Sequence, residues 1–489
     1  MLDRGLFTLA QGRKAETFLM FTRLFRIPFF LTLGCSVISA AEGPTGTASH
    51  VGRRFPSEMR IITDAVTGRK IKALTTSSAN DLKPYQTHPA WTADGKWIIF
   101  RSDRGGATSQ AFVVNEESGD IVQLTDDPTV SMGSVNLSRK EMKLWLMRGG
   151  PRPNRTDAPA EAATPSAPPR QLIEIDLGSI IRDSLAGEVK PPSVYQRVIA
   201  TLPSDLRDAG GFTIDTDESK AYWGISPAGA PQPVIARVGK SEFDKAQSGS
   251  RGALDTKNMD PTESREAARA RFAAAGKGPG GIRSIDLKTG ELKTVIDVDF
   301  RMGHVQANPW LPGEIVYCHE TGGDAPQRMW AVNADGSNNR PIYVESPDEW
   351  ITHETFSAKD ELMFLIIGHL PYLREKPTGI AVINLRDRQM KIIAQIDEDM
   401  GDNLKGGYWH CNGSPDGRWA VGDTFKGSVY AINRRTGENV LLTTGHMMKP
   451  DHTHPIFSAD SKRILIQSGL LSGGKNLNLM VLDAPEDKG

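Results

Sequence analysis

The sequence predicts an all-β fold, a seven-bladed β-propeller over residues 55–485 closed by an N-terminal strand, and three observations lead there. A turn of the SPDG kind recurs seven times. A TG-type hairpin recurs behind it, at an interval of roughly 40 to 50 residues, the length of four short strands. A half-unit left over at the N-terminus matches a half-unit missing at the C-terminus.

In chain order, the clearest unit is HPAWTADGKWIIFRSDRGG, continued by AFVVNEESGDIVQLT; its relatives begin at NLSRKEMKLWLM, TIDTDESKAYWGI, NPWLPGEIVYCHE, TFSAKDELMFLII, NGSPDGRWAVGDT and IFSADSKRILIQS. The hairpins behind them read NEESGDIVQL, DLKTGELKTV, NADGSNNRPI, NLRDRQMKII and NRRTGENVLL, each a turn between alternating apolar residues. Two intervals are long because they carry insertions. Residues 149–170 are Pro/Ala-rich and read as a loop, and residues 240–280 include SREAARARFAAAG, which reads as a short helix on the blade edge. The last unit ends near VLDAPEDKG without its hairpin, whereas RIITDAVTGRKIKALTT, residues 60–76, is a hairpin with no blade before it. The N-terminal strand is therefore expected to complete the last blade and remove an open sheet edge.

The first forty residues differ in kind. Arg23 and Arg26 precede an apolar run to Ile38 and then Ser39, Ala40 and Ala41, the order of a secretory signal peptide over residues 1–41. Met20 is an alternative start. A lipid anchor at Cys35 is the rival reading, against which TLGC has Thr where such signals have Leu. No later apolar run approaches membrane length, so the mature protein is expected to be exported, periplasmic or secreted, with no membrane span. Charge is balanced, 58 Lys+Arg against 59 Asp+Glu, which offers no global field for nucleic acid or an anionic membrane. Walker, Rossmann and EF-hand patterns are absent from the sequence. With Cys35 in the leader, Cys318 and Cys411 remain; they are expected as two buried thiols, with a single bridge between them as the alternative.

Aligning the units on their first turn places His88, His353, His410 and His454 four residues before it, and His304 with a turn one residue longer; Gly133 and Gly211 fill the position in the other two blades. Five of the ten histidines thus start innermost strands, which ring one mouth of a propeller's channel. His452 joins them, two residues from His454 on the same strand face. One strand histidine is ordinarily a hydrogen-bonded, half-buried residue. Six aimed at one funnel suit a borderline divalent metal, with the H-x-H pair His452 and His454 joined by His410. The others, His88 and His304 among them, are left to bind substrate or move protons.

The stretches YCHETGGDAPQRMWAVNADGSN, ITHETFSAKD, WHCNGSPDGRWAVGD and HTHPIFSAD resemble, in the same order, the blades of the oligogalacturonate lyases, seven-bladed propellers of pectin degradation. The likeness extends to DAVTGRKIKALT and SIDLKTGELKTV, along nearly the whole mature chain. The resemblance implies β-elimination on short uronate oligosaccharides with a divalent metal, typically manganese. By position, the metal ligands would be His410, His452 and His454, the catalytic base His353, and the substrate-facing cation Arg328. His319 would be a substrate contact or the partner of a backbone carbonyl. One departure stands out: the family has Gln three residues before the first His of its H-x-H pair, and this chain has Lys449, whose ammonium cannot ligate while protonated. His446, Asp451 or water would then take the fourth position, or the site is altered.

The chemistry suits the residues. Removing a proton α to a carboxylate requires that the carboxylate's charge be neutralised, by metal and arginine, and a neutral histidine is a suitable base. A non-catalytic periplasmic propeller, which the TADGKW and SPDGRW turns also resemble, is the alternative; a scaffold needs no imidazoles at its channel mouth. A propeller-bearing hydrolase finds no G-x-S-x-G and no room for a second domain.

Overall fold

The structure, a computed structural model, describes residues 49–486 apart from 107, 151–167, 231–269, 271–273, 275, 321–326, 346–350, 367–378, 397, 399–406 and 448. The expected leader, most of the 149–170 insertion and most of the helix expected in SREAARARFAAAG lie outside the described residues.

The repeat rests on turn chemistry. In five hairpins one Asp or Asn side chain accepts the backbone N–H groups two and three residues ahead, at 2.7–3.3 Å: Asp64, Asn115, Asp286, Asn384 and Asn433. The residue four places on then turns left-handed. It is Gly68, Gly119, Gly290 or Gly437 at φ 71–76°, and Arg388 in the fifth hairpin. In the first turn of three blades, the hydroxyls of Thr92, Ser414 and Ser458 donate to Asp94, Asp416 and Asp460 and accept from the N–H groups of Trp97, Trp419 and Arg463. These bonds are local, so each strand's ends are set by its own few residues.

Between the turns run seven antiparallel sheets in a propeller arrangement. The first blade holds Trp97–Ser102, Gln110–Asn115 and Ile121–Gln123 with Arg54–Phe55 outermost, and the fifth runs outward from Ile351–Ala358 through Glu361–Ile366 and Gly379–Asn384 to Met390–Gln395. The sixth runs from Tyr408–Gly413 through Trp419–Thr424 and Val429–Asn433 to Asn439–Thr443. The seventh takes strands from both ends of the described chain: Ile456–Phe457, Arg463–Ser468 and Asn478–Asp483 are followed by Lys70–Ala73 and Arg60–Thr63, with Met480 opposite Ala73 and Val481 opposite Lys72.

Apolar cores lie between neighbouring blades, which is why the strands are buried on both faces. Ile99 and Val113 of the first blade pack with Leu146 and Ile173 of the second, and Met363 and Val382 of the fifth with Ala420 and Ile432 of the sixth. Each fully buried Ile or Leu contributes about 1.5–3 kcal/mol. Cys318 and Cys411 are free and buried, as the sequence implied. A helix that the repeat did not announce, Leu177–Ala186, links the third and fourth strands of the second blade; Asp176 caps it by accepting from the N–H of Ser179, and Gly187 ends it at φ 75°. No described helix is long and apolar enough to cross a membrane.

Candidate metal and catalytic site

The innermost strands break register where the imidazoles sit. Shifts fall between Gly303 and Gln306, Thr352 and Thr355, and Tyr408 and His410. His304, His353 and His454 have left-handed backbone, φ 46°, 57° and 45°, and Gly211 takes φ 105° at the matching place in the third blade. A non-glycine residue held there costs about 1–3 kcal/mol. Bulges of this kind turn a side chain away from the regular pleat, here into the channel mouth.

The rings meet as the alignment implied. Ring centroids lie 3.8 Å apart for His410 and His454, 4.3 Å for His353 and His410, 5.2 Å for His410 and His452, and 6.1 Å for His452 and His454. Burial, with the neighbouring imidazoles adding to it, holds His353 and His410 well below the ordinary histidine range. Burial likewise lowers His452 to about 4 against the pull of Asp423. Near neutral pH these three rings are uncharged and keep lone pairs to offer.

Two carboxylates organise the cluster. Asp423, 1 % exposed, accepts the His410 N–H at 2.8 Å, its ring Nδ1 at 3.1 Å, the Thr453 hydroxyl at 2.8 Å and the His454 N–H at 3.1 Å. A carboxylate on Nδ1 leaves His410 Nε2 as the ligating atom, the arrangement metal-bound imidazoles use. His454 has Nδ1 3.1 Å from Gln86 Oε1 and Nε2 3.2 Å from Asp451 Oδ1. Burial pushes Asp451 up, but the His454 bond and charge and the His452 N–H outweigh it and hold the carboxyl at about 2. Ligand atoms of His410, His452 and Asp423 all lie within 4.8 Å of one another, and His452 Nδ1 is buried with no hydrogen-bond partner. Neutral imidazole donors, one of them orphaned, beside a carboxylate fit a divalent ion of manganese type.

On the opposite side, His353 Nδ1 is 2.8 Å from the Tyr85 hydroxyl, and its Nε2 is buried and unpartnered. Trp409 packs edge-on to the ring at 4.6 Å. Burial and the Glu354 charge raise the Tyr85 phenol well above its ordinary value, so it stays protonated. The expected substrate-facing cation Arg328 is in fact buried, its side chain 4 % exposed, with Nε 2.8 Å from Glu354 and Nη2 3.7 Å from Glu320. Glu354 also lies 3.1 Å from His304 Nδ1. Burial opposes ionisation of Glu354, yet Arg328 and His304 together hold its carboxyl below the usual range. His304, Cys318 and Glu354 have the spacing of a second metal group, but the guanidinium already supplies the positive charge there.

The remaining candidates are spoken for by neighbours. His88 bonds Thr87 Oγ1 at 2.8 Å and, across the channel, the Phe212 carbonyl at 3.0 Å. His319 Nε2 is 3.0 Å from the Gly276 carbonyl and its ring packs on Phe300, which favours the carbonyl-partner reading. His446, offered as a replacement ligand, has both ring nitrogens on hydroxyls, Ser468 at 2.7 Å and Thr443 at 3.0 Å. Tyr85, Gln86, Asp423 and Glu354 were missed. Only Glu354, next to His353, carried a hint in the sequence.

Beside the cluster, Leu82, Lys83, Tyr85, His88, Arg101 and His454 help to line a cavity of about 270 Å³. Burial pushes the Lys83 ammonium down to about 7, with Asp451 and Asp423 only partly opposing it.

Residues 276–486 match the oligogalacturonate lyase family model. The oligogalacturonide lyase of Pectobacterium atrosepticum is 28 % identical over 206 residues, 38 % of this chain and 51 % of that protein. The oligogalacturonate lyase of Dickeya dadantii is 28 % identical over 205 residues, with the same coverage. The chain thus spans about half the length of the curated relatives it matches. A solved oligogalacturonate lyase in complex with manganese superposes with a TM-score of 0.67 at 18 % identity, covering 89 % of this chain and 98 % of the other. The enzyme from Vibrio parahaemolyticus gives 0.63 at 18 %, covering 89 % and 99 %. The sequence likeness is matched over the later blades, whereas the likeness of fold runs through nearly all of them. Over residues 276–486 the chain is thus similar in sequence to the oligogalacturonate lyases, and over most of its length it shares their propeller fold.

Proposed function

We propose that this protein is an exported, metal-dependent lyase that cleaves short uronate oligosaccharides, oligogalacturonates or close kin, by β-elimination with His353 as base. One observation carries the reading: a neutral imidazole with a bare, buried Nε2, 4.3 Å by ring centroid from a second imidazole that belongs to a metal-type donor set.

His410 and His452, with His454 and Asp423 beside them, would hold the ion, which supplies positive charge against the substrate carboxylate when bound. The chain's own residues do the rest. Tyr85 accepts from the Nδ1–H tautomer of His353, which leaves the Nε2 lone pair to take the proton from C5 of the uronate. The C5–H electrons form the C4–C5 double bond, the C4–O4 bond breaks, and the departing oxygen gains a proton from water. Arg328, ion-paired with Glu354 and Glu320, fixes the wall behind His353 and is given no contact with substrate. Trp409 and the buried rings keep bulk water from the base.

The experiment is to load purified protein with Mn²⁺, supply oligogalacturonates and related uronate oligomers, and follow the ultraviolet absorbance of the unsaturated product. His353→Ala should abolish product with manganese content unchanged, and His454→Ala should lose both. Near-full turnover by His353→Ala would remove the base from the proposal.

A further inference from the structure

Resting on the uronate reading above, we infer that Lys83 and Arg101 form a second carboxylate site, one that holds the uronate unit adjacent to the one undergoing elimination. Leu82 and Arg101 exchange backbone hydrogen bonds at 2.9 and 2.8 Å, so the chain segments that carry Lys83 and Arg101 are neighbours. Both line the 270 Å³ cavity, and so do Tyr85 and His454, which places the two cations in the space that adjoins the imidazole cluster.

Neither cation has an ion-pair partner among the described residues. Lys83 is 6 % exposed and its Nζ donates to the neighbouring Pro84 carbonyl at 3.0 Å; among the described residues it has no carboxylate ion-pair partner, and the Arg101 guanidinium has neither an ion pair nor a hydrogen bond. Asp451, the acid in the cavity wall, is already engaged by His454 at 3.2 Å and Gln467 at 3.0 Å. A buried ammonium with no carboxylate in ion-pair contact is costly in the free protein and is stabilised when an anion arrives. Phe100, Met132 and Val135 supply an apolar wall suited to the C–H face of a sugar ring. An acidic sugar presents that pairing of face and charge; a neutral one does not.

The test compares wild type, Lys83→Met and Arg101→Gln, each loaded with manganese, on trigalacturonate and on its methyl ester. Each substitution should raise KM for the free acid roughly tenfold or more, since hydrogen bonds to a charged group are lost. Expected alongside are a kcat within a few-fold of wild type, a weakened preference for free acid over ester, and unchanged manganese affinity. Lys83→Met should also melt at a higher temperature, because it removes a buried charge, an outcome that a structural role for the lysine would reverse. Arg101, exposed at the cavity wall, serves as the variant with little bearing on folding. Unaltered KM and ester preference in both variants would overturn the second site and leave the lyase reading standing. A wild-type protein that neither binds nor cleaves any uronate oligomer would overturn both.

Discussion

Asp423→Asn is the sharpest probe of the metal cluster, because the carboxylate accepts four hydrogen bonds and the amide can accept on one side only. The Oδ1 side faces two nitrogens of His410, whereas the Oδ2 side faces the Thr453 hydroxyl, which can reverse its role, and the His454 N–H, which cannot. The amide NH₂ should therefore turn toward Thr453 and strand the His454 N–H without an acceptor. A buried donor left so costs about 1–3 kcal/mol. His410 keeps an acceptor on Nδ1 but loses its negative charge, and loss of a carboxylate behind a ligating imidazole weakens metal binding roughly 10–100-fold. Calorimetric titration with Mn²⁺ and thermal melting measure the two effects. Manganese affinity at the wild-type level in both Asp423→Asn and Asp423→Ala would refute the assignment of His410 as a ligand held by this carboxylate.

Glu354→Gln leaves Arg328 buried without its closest counter-charge, which should cost about 3–5 kcal/mol in urea unfolding; a loss below 1 kcal/mol would show that Glu320 suffices. His446 is lowered by burial to about 4 from 6.5, so between those values the unfolded chain binds the extra proton. Stability from this group is full above pH 6.5 and is lost as pH falls toward 4, by about 3 kcal/mol in all. Unfolding at pH 7.5 and pH 5 should therefore be less pH-dependent in His446→Gln than in wild type, by about one proton.

The blades could be read from the sequence because their punctuation is local. An Asp or Asn that folds its side chain over the next three residues leaves the same mark wherever it occurs, and Asp64, Asn115, Asp286, Asn384 and Asn433 all do so. The imidazole position followed from counting back four residues from the first turn of each blade, the one that Thr92, Ser414 and Ser458 open. The partners did not follow, since Asp423 meets His454 from 31 residues away and Tyr85 meets His353 from 268. Distances of that kind are set by the curvature of the whole ring. Arg328 was expected at the substrate because its sequence neighbourhood says nothing of Glu354, 26 residues on, whose carboxylate draws it into the wall. The helix Leu177–Ala186 had its signals, an Asp before it and a Gly after it, but the expectation of four uninterrupted strands masked them.

The left-handed backbone at His304, His353 and His454 has a practical bearing on how the site is dissected. An alanine there inherits the unfavourable φ of the histidine it replaces, whereas a glycine, as at Gly211, relaxes it. His353→Gly should therefore melt higher than His353→Ala, because both lose the imidazole's bond to Tyr85 and only the glycine sheds the strain, which makes it the less perturbed knock-out. The channel mouth would then be the part of the molecule where robustness has been given up in exchange for reactivity.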